Sequence, residues 1–295
     1  MEASKRRRMF EAAAPAVAAM WPEHAGTYGC PLCGQFFAED RFDALSVEHA
    51  PPRSLRGRKR VAVLTCRRCN SRAGESVDDA MLDHEELRDL RRHTMTRRRE
   101  SLVESAEGPV VMDVQFAPNG NVFLFGVPKA SRKEAHDAWV REMETCTTGK
   151  ELRISGTIRA RRPQRWAEIG WLRSAYLIAF AWGGYRYAFA PSLEGVRAQL
   201  GPANRDRVII RNFAWRIRDA ERSDAALRYI HEPELFRSIA IQMGDVMVLL
   251  PMLDDMNLYS RLGDESTDLR TLNLRWLPIP WPVPPTYGMG SANRG

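Results

Sequence analysis

The sequence predicts an α+β fold in two parts: a small strand–strand–helix finger stapled by cysteines, then a larger α+β domain with a mainly antiparallel sheet. Three observations predict it. Four of the five cysteines stand as Cys-x-x-Cys pairs, Cys30/Cys33 and Cys66/Cys69. Two short apolar runs lie between the pairs, and a charged helical stretch follows the second. Beyond residue 110, apolar runs separated by turn residues alternate with helical patterns, one of them long and apolar on every side.

Residues 1–20 carry a basic run, Lys5-Arg6-Arg7-Arg8, ahead of an Ala-rich stretch broken by Glu11 and Pro15. The stretch is too short and too interrupted for a membrane helix or a signal peptide, and no other segment is apolar for long enough to span a bilayer. With the unpaired fifth cysteine, Cys146, this predicts a cytoplasmic protein.

The finger is expected over residues 21–94. Two Cys-x-x-Cys knuckles supply the four thiolates that tetrahedral Zn²⁺ takes in structural sites, here separated by 32 residues, Gly34 to Thr65. Gly34 follows the first knuckle where the backbone turns sharply. Two disulfides are the alternative, although a chain of 295 residues needs no such staples to hold a core. Within the spacer, Leu45-Ser46-Val47-Glu48-His49-Ala50 reads as a strand ended by Pro51-Pro52, and Val61-Ala62-Val63-Leu64 as its return across a basic turn. Glu48 and His49 then point to opposite faces unless the chain bends there.

These residues resemble the HNH endonucleases, whose treble-clef-like ββα-metal finger carries an Asp-His or Glu-His dipeptide and, in zinc-bearing members, a Cys-x-x-Cys-Asn knuckle opening the helix. The matching residues are Cys30-x-x-Cys33, Glu48-His49-Ala50-Pro51-Pro52 and Thr65-Cys66-Arg67-Arg68-Cys69-Asn70-Ser71-Arg72-Ala73-Gly74, a pattern similar to the Glu-His-x-Pro-Pro branch. The resemblance covers about Gly29 to Leu82. It implies that Cys30, Cys33, Cys66 and Cys69 hold a structural zinc and that His49 is the general base for water attacking a phosphodiester. It implies further that Glu48 and Asn70 hold a catalytic Mg²⁺ or Mn²⁺. One departure stands out: many members carry an asparagine on the second strand that orients the histidine, and Val61 stands in that place here.

Asp78 is a further candidate for the cation, and His84 a candidate for the same pocket. Ser76-Val77-Asp78-Asp79 also reads as a helix start, with Ser76 as N-cap and acids in the first turn, which accounts for both carboxylates without chemistry. His24, His93, His136 and His231 have no partner pattern.

Charge points to nucleic acid as partner, with DNA as the expected substrate. The net charge is +7, and arginine supplies 39 of the 44 basic residues. Arg53, Arg56, Arg58, Lys59, Arg60, Arg67, Arg68 and Arg72 cluster around the Glu-His dipeptide and the second knuckle, where guanidinium forks match phosphate. A compositional bias toward arginine accounts for much of the count but not for that clustering. Two other functions fit the same finger: a non-catalytic zinc module that binds nucleic acid or protein, and an RNase.

Residues 95–109 read as a linker after a helix from Val77 to about His93. The second domain is expected over 110–285, followed by a loose tail at 286–295. Strands are expected at Val110–Phe116 and Asn121–Val127 around Pro118-Asn119-Gly120, and an amphipathic helix at Lys133–Met143. A further strand is expected at Glu151–Ile158. A buried helix at Trp166–Trp182 is expected to end at Gly183-Gly184, its aromatics forming core, with another helix at Leu193–Leu200. Strands at Arg207–Arg211, Ala226–Ile230, Ser238–Gln242, Asp245–Leu250 and Leu272–Leu277 complete the sheet. This domain is large enough to recognise DNA, sense an activating ligand or bind a protein partner.

Overall fold

In the computed structural model, which describes residues 2–55, 57–91, 98–117, 119, 121–145, 156–157, 160–218, 220–263 and 274–282, helices and antiparallel sheets are mixed along the chain. Two compact units result: Met1–Met81 with Gln164–Gly295, and Leu82–Pro163. The division differs from the linear one read from the sequence, because the first unit is built from both ends of the chain.

That unit opens with α1 (Glu2–Met20), which buries Met9, Phe10, Ala13 and Val17 along one face. No helix among the described residues is long and apolar enough to cross a membrane. β1 (Tyr28–Gly29) and β2 (Phe36–Phe37) form a small antiparallel ribbon around the first knuckle. β3 (Leu45–Ala50) and β4 (Val61–Cys66) pair in unbroken register from Leu45 opposite Cys66 to Ala50 opposite Val61.

Cys66 leads directly into α2 (Arg67–Ala73), which passes through a π-helical turn at Gly74–Asp78 into α3 (Asp79–Arg91). The helix therefore begins ten residues before the expected Val77. Ser76 is not its N-cap: the Ser76 hydroxyl donates back to the Arg72 carbonyl, 2.6 Å away, inside the helical run. The knuckle nucleates the helix and makes a second start unnecessary.

The Leu82–Pro163 unit holds β5 (Arg99–Ser105), β6 (Gly108–Phe116), β7 (Val122–Gly126), α4 (Lys133–Thr145) and β8 (Gly156–Thr157), with sheet order β7-β6-β5-β8. Val103, Val110, Met112 and Ala135 form its core under Leu124 and Trp139. β5 lies within the stretch expected to be a linker. Its inward positions, Ser101 and Val103, alternate with exposed Glu100, Leu102 and Glu104, so charge on the outer face obscured a strand of period two. His84 meets the Arg162 carbonyl at 2.9 Å. Cys146, His93, Pro118, Gly120 and residues 286–295 lie outside the described residues.

The chain returns to the first unit with α5 (Gln164–Ala188), buried for most of its length. The expected end at Gly183-Gly184 is a kink instead, with Gly184 at φ 62°, and the helix resumes to Ala188. After α6 (Glu194–Leu200), β9 (Ala214–Arg216), β10 (Ala225–Glu232), β11 (Ser238–Met243) and β12 (Val246–Leu250) precede a short α7 (Leu258–Leu262) and β13 (Arg275–Ile279). The five strands form an antiparallel sheet ordered β13-β10-β11-β12-β9. Residues 207–211 are not its edge strand: the Gln199 side chain accepts from the Ile209 amide at 2.9 Å and donates to the Arg207 carbonyl at 3.0 Å, which holds that segment as a loop. α5 packs on β3 and β4 and also on β11, β12 and β9, which makes it the shared core element of this unit.

Candidate functional site

The first knuckle is shaped by its own backbone. The Gly34 amide donates to the Cys30 carbonyl at 2.8 Å, with Gly34 at φ 71°, and the Cys30 amide donates to the Gln35 carbonyl at 2.9 Å. The second knuckle forms as β4 turns into α2, and the amides of Cys66 and Cys69 point at the sulfurs of Cys30 and Cys66, each at 3.4 Å. The four sulfurs lie within 4.8 Å of one another, and Cys33 Sγ to Cys66 Sγ is 3.8 Å. Four sulfurs at about 2.3 Å from a tetrahedral Zn²⁺ sit about 3.8 Å apart, so this donor set fits a metal such as zinc. All four cysteines are unbridged, which removes the disulfide alternative. Contact with its three neighbours and burial hold the Cys30 thiol well above the ordinary range. The same contacts hold the Cys33 thiol below that range, and a bound cation would keep all four as thiolates.

α5 braces the finger. The Tyr176 hydroxyl donates to the Pro31 carbonyl at 2.8 Å, and the Tyr185 hydroxyl donates to the Gly29 carbonyl at 2.9 Å. Gly170 sets the helix spacing: a Cβ there would lie 2.3 Å from Met81 Sδ and 2.9 Å from the Val77 carbonyl oxygen. One turn further along α5, Arg173 enters the finger.

Glu48 is buried and accepts from Arg173 at both oxygens, Nη1 on Oε1 and Nη2 on Oε2 at 2.7 Å. Thr65, across the ladder, donates its hydroxyl to Oε2 at 2.9 Å. Arg173 Nη1 is also 3.9 Å from Asp78 Oδ1, an oxygen that is buried without a hydrogen-bond partner. Burial pushes the Asp78 carboxyl up to about 6; Arg173 opposes that rise, and Glu48 with Asp79 adds to it. Arg173 stands above its ordinary value, because Glu48 and Asp78 outweigh the desolvation that opposes its charge. The helix-cap explanation of Asp78 therefore gives way to a buried charge cluster. Nor does the geometry fit a divalent cation on Glu48 and Asn70. A guanidinium covers the carboxylate, so Glu48 has no oxygen to offer, while the Asn70 Nδ2 donates to the Ser46 hydroxyl at 3.0 Å.

His49 is half-buried at the end of β3, next to that cluster in sequence but on the other face of a regular ladder. Arg53 donates to its Nε2 from Nε at 3.2 Å and from Nη2 at 3.0 Å. Such a contact requires an unprotonated Nε2, the form in which imidazole accepts a proton.

The basic residues separate by role. Arg53, Lys59, Arg67, Arg68 and Arg72 are exposed, and the last two line a cleft with Cys33, Cys69, Arg173 and Arg205. Arg60 is half-buried and holds the turn through the carbonyls of Arg53 and Leu55. Arg58 is not a surface residue. Its side chain pairs with Asp245 at 3.3 Å, stacks on Trp171 and donates to the Met243 carbonyl. Gly244 makes room for it, since a Cβ there would stand 1.9 Å from Arg58 Nη1. Arg56 lies outside the described residues.

Sequence reasoning missed Arg173 and Arg205. The signal for Arg173 was available: it is the only charged residue between Ile169 and Trp182, inside a helix apolar all round.

Residues 30–86 match the family model of the HNH endonucleases, from the first knuckle into α3. No curated protein and no solved structure matches the chain.

Proposed function

We propose that this protein is an HNH-type nuclease that hydrolyses phosphodiester bonds of DNA, with His49 as general base on a zinc-fixed finger. Zn²⁺ on Cys30, Cys33, Cys66 and Cys69 supplies structural order, locking the ribbon, β4 and α2 together. The observation that carries the reading is His49 beside exposed Arg53, on the segment that matches the family. Arg53 is suited to leave the imidazole for an incoming phosphate, which takes the guanidinium bidentately and frees Nε2 for a water. The water oxygen then attacks phosphorus, its proton passes to Nε2, and the P–O3′ bond breaks with solvent protonating the leaving oxygen. Arg67, Arg68 and Arg72 on α2, with Arg205, are suited to track the backbone.

The test is a substrate panel of supercoiled plasmid, linear duplex, single-stranded DNA and RNA, with end analysis of the products. DNA cut to 5′-phosphate ends supports the reading; cyclic-phosphate ends on RNA alone assign an RNase. A second reading, a non-catalytic nucleic-acid-binding zinc module, is favoured by one observation: Glu48 is already neutralised inside the protein. Tight binding of the same substrates without cutting selects it.

A further inference from the structure

Three features of the first unit point to one charge arrangement. The Glu48 carboxylate meets a guanidinium in fork-to-fork geometry and has a third donor in Thr65. Asp78 faces the same guanidinium from the π-helical turn. The guanidinium is nearly enclosed and is held at its root, because Gly170 and Tyr176, one turn to either side, fix α5 against the finger. A second contact, from Arg173 Nη2 to the Cys69 carbonyl at 3.4 Å, ties it to the zinc knuckle.

We propose that Arg173 is the resident counter-ion of Glu48 and occupies the place where a divalent cation would sit, so the finger takes no Mg²⁺ or Mn²⁺ at Glu48 while Arg173 is present. A divalent cation needs carboxylate oxygens free of other donors and room for several waters, whereas both Glu48 oxygens already accept from Arg173 or Thr65 and the carboxylate is buried. Without Arg173, buried Glu48 and half-buried Asp78 lose the guanidinium that both approach, which leaves a carboxylate pair of the kind that draws a dication. The inference rests on the HNH-type reading of the finger. It differs from that reading in outcome, since it concerns cation binding and makes chemistry at His49 independent of a metal at Glu48.

The experiment is titration of the zinc-loaded full chain with Mn²⁺, reading free Mn²⁺ by electron paramagnetic resonance. The wild type and Glu48→Gln are expected to bind Mn²⁺ alike. Arg173→Met, which keeps length and apolar packing, is expected to gain one bound Mn²⁺ that Mg²⁺ displaces, and Arg173→Met with Glu48→Gln to lose it again. A wild-type Mn²⁺ site lost in Glu48→Gln overturns the proposal, as does a folded Arg173→Met that gains nothing. If Arg173→Met fails to fold, the comparison of wild type with Glu48→Gln decides alone. Absence of DNA cleavage in all variants counts against the nuclease and leaves these binding outcomes readable.

Discussion

Arg173 and Glu48, 125 residues apart in sequence, form a two-pronged ion pair in which both side chains are almost fully buried. Removing one partner of such a pair strands the other charge in a low-dielectric interior at a cost of about 3–5 kcal/mol, whereas replacing both by apolar groups is often neutral. Arg173→Ala is therefore expected to lower the urea midpoint sharply, and the double variant Arg173→Met with Glu48→Met to recover most of the loss. Equal destabilisation by the two would show that packing, not charge, dominates at this contact.

Cys66 ends β4 and lies one turn before Cys69 in α2, so loss of either thiolate uncouples strand from helix. Cys66→Ser or Cys69→Ser is expected to release zinc and unfold the finger, read by elemental analysis and circular dichroism. Zinc retained at full stoichiometry in either variant would refute the four-thiolate site.

Arg58 and the pair Arg68/Arg72 were alike in the sequence and differ in the structure. Arg58→Ala removes the fully buried cation that pairs with buried Asp245, and is expected to destabilise the fold while the salt dependence of DNA binding stays the same. Neutralising Arg68 and Arg72 together is expected to leave stability unchanged and to flatten the salt slope by about two phosphate contacts. The reverse assignment of effects would place the nucleic acid on the β3–β4 turn.

The finger was legible because its chemistry is local. Cysteine spacing, two apolar runs and a Glu-His dipeptide fix knuckles, ladder and helix within one short segment. Most strands of the larger sheet were legible too, from β10 to β12 almost to the residue, since alternation and turns mark them. What escaped depends on contacts distant in sequence. Ser76 carries a cap pattern, yet the knuckle ten residues earlier starts the helix. Arg58 sits in a basic run, yet a glycine at 244 and an aspartate at 245 draw it inside. Glu48 carries the motif of a cation ligand, yet its partner comes from a helix that no local rule connects to it.

Cleavage of supercoiled plasmid by zinc-loaded wild type and His49→Ala, matched for zinc content and thermal stability, decides whether His49 is the general base. Nicked or linear product is expected from the wild type, and a rate at least about a hundredfold lower from the variant, the usual loss when a general base is removed. Equal cutting by both proteins, or binding by both with cutting by neither, would contradict that role for His49.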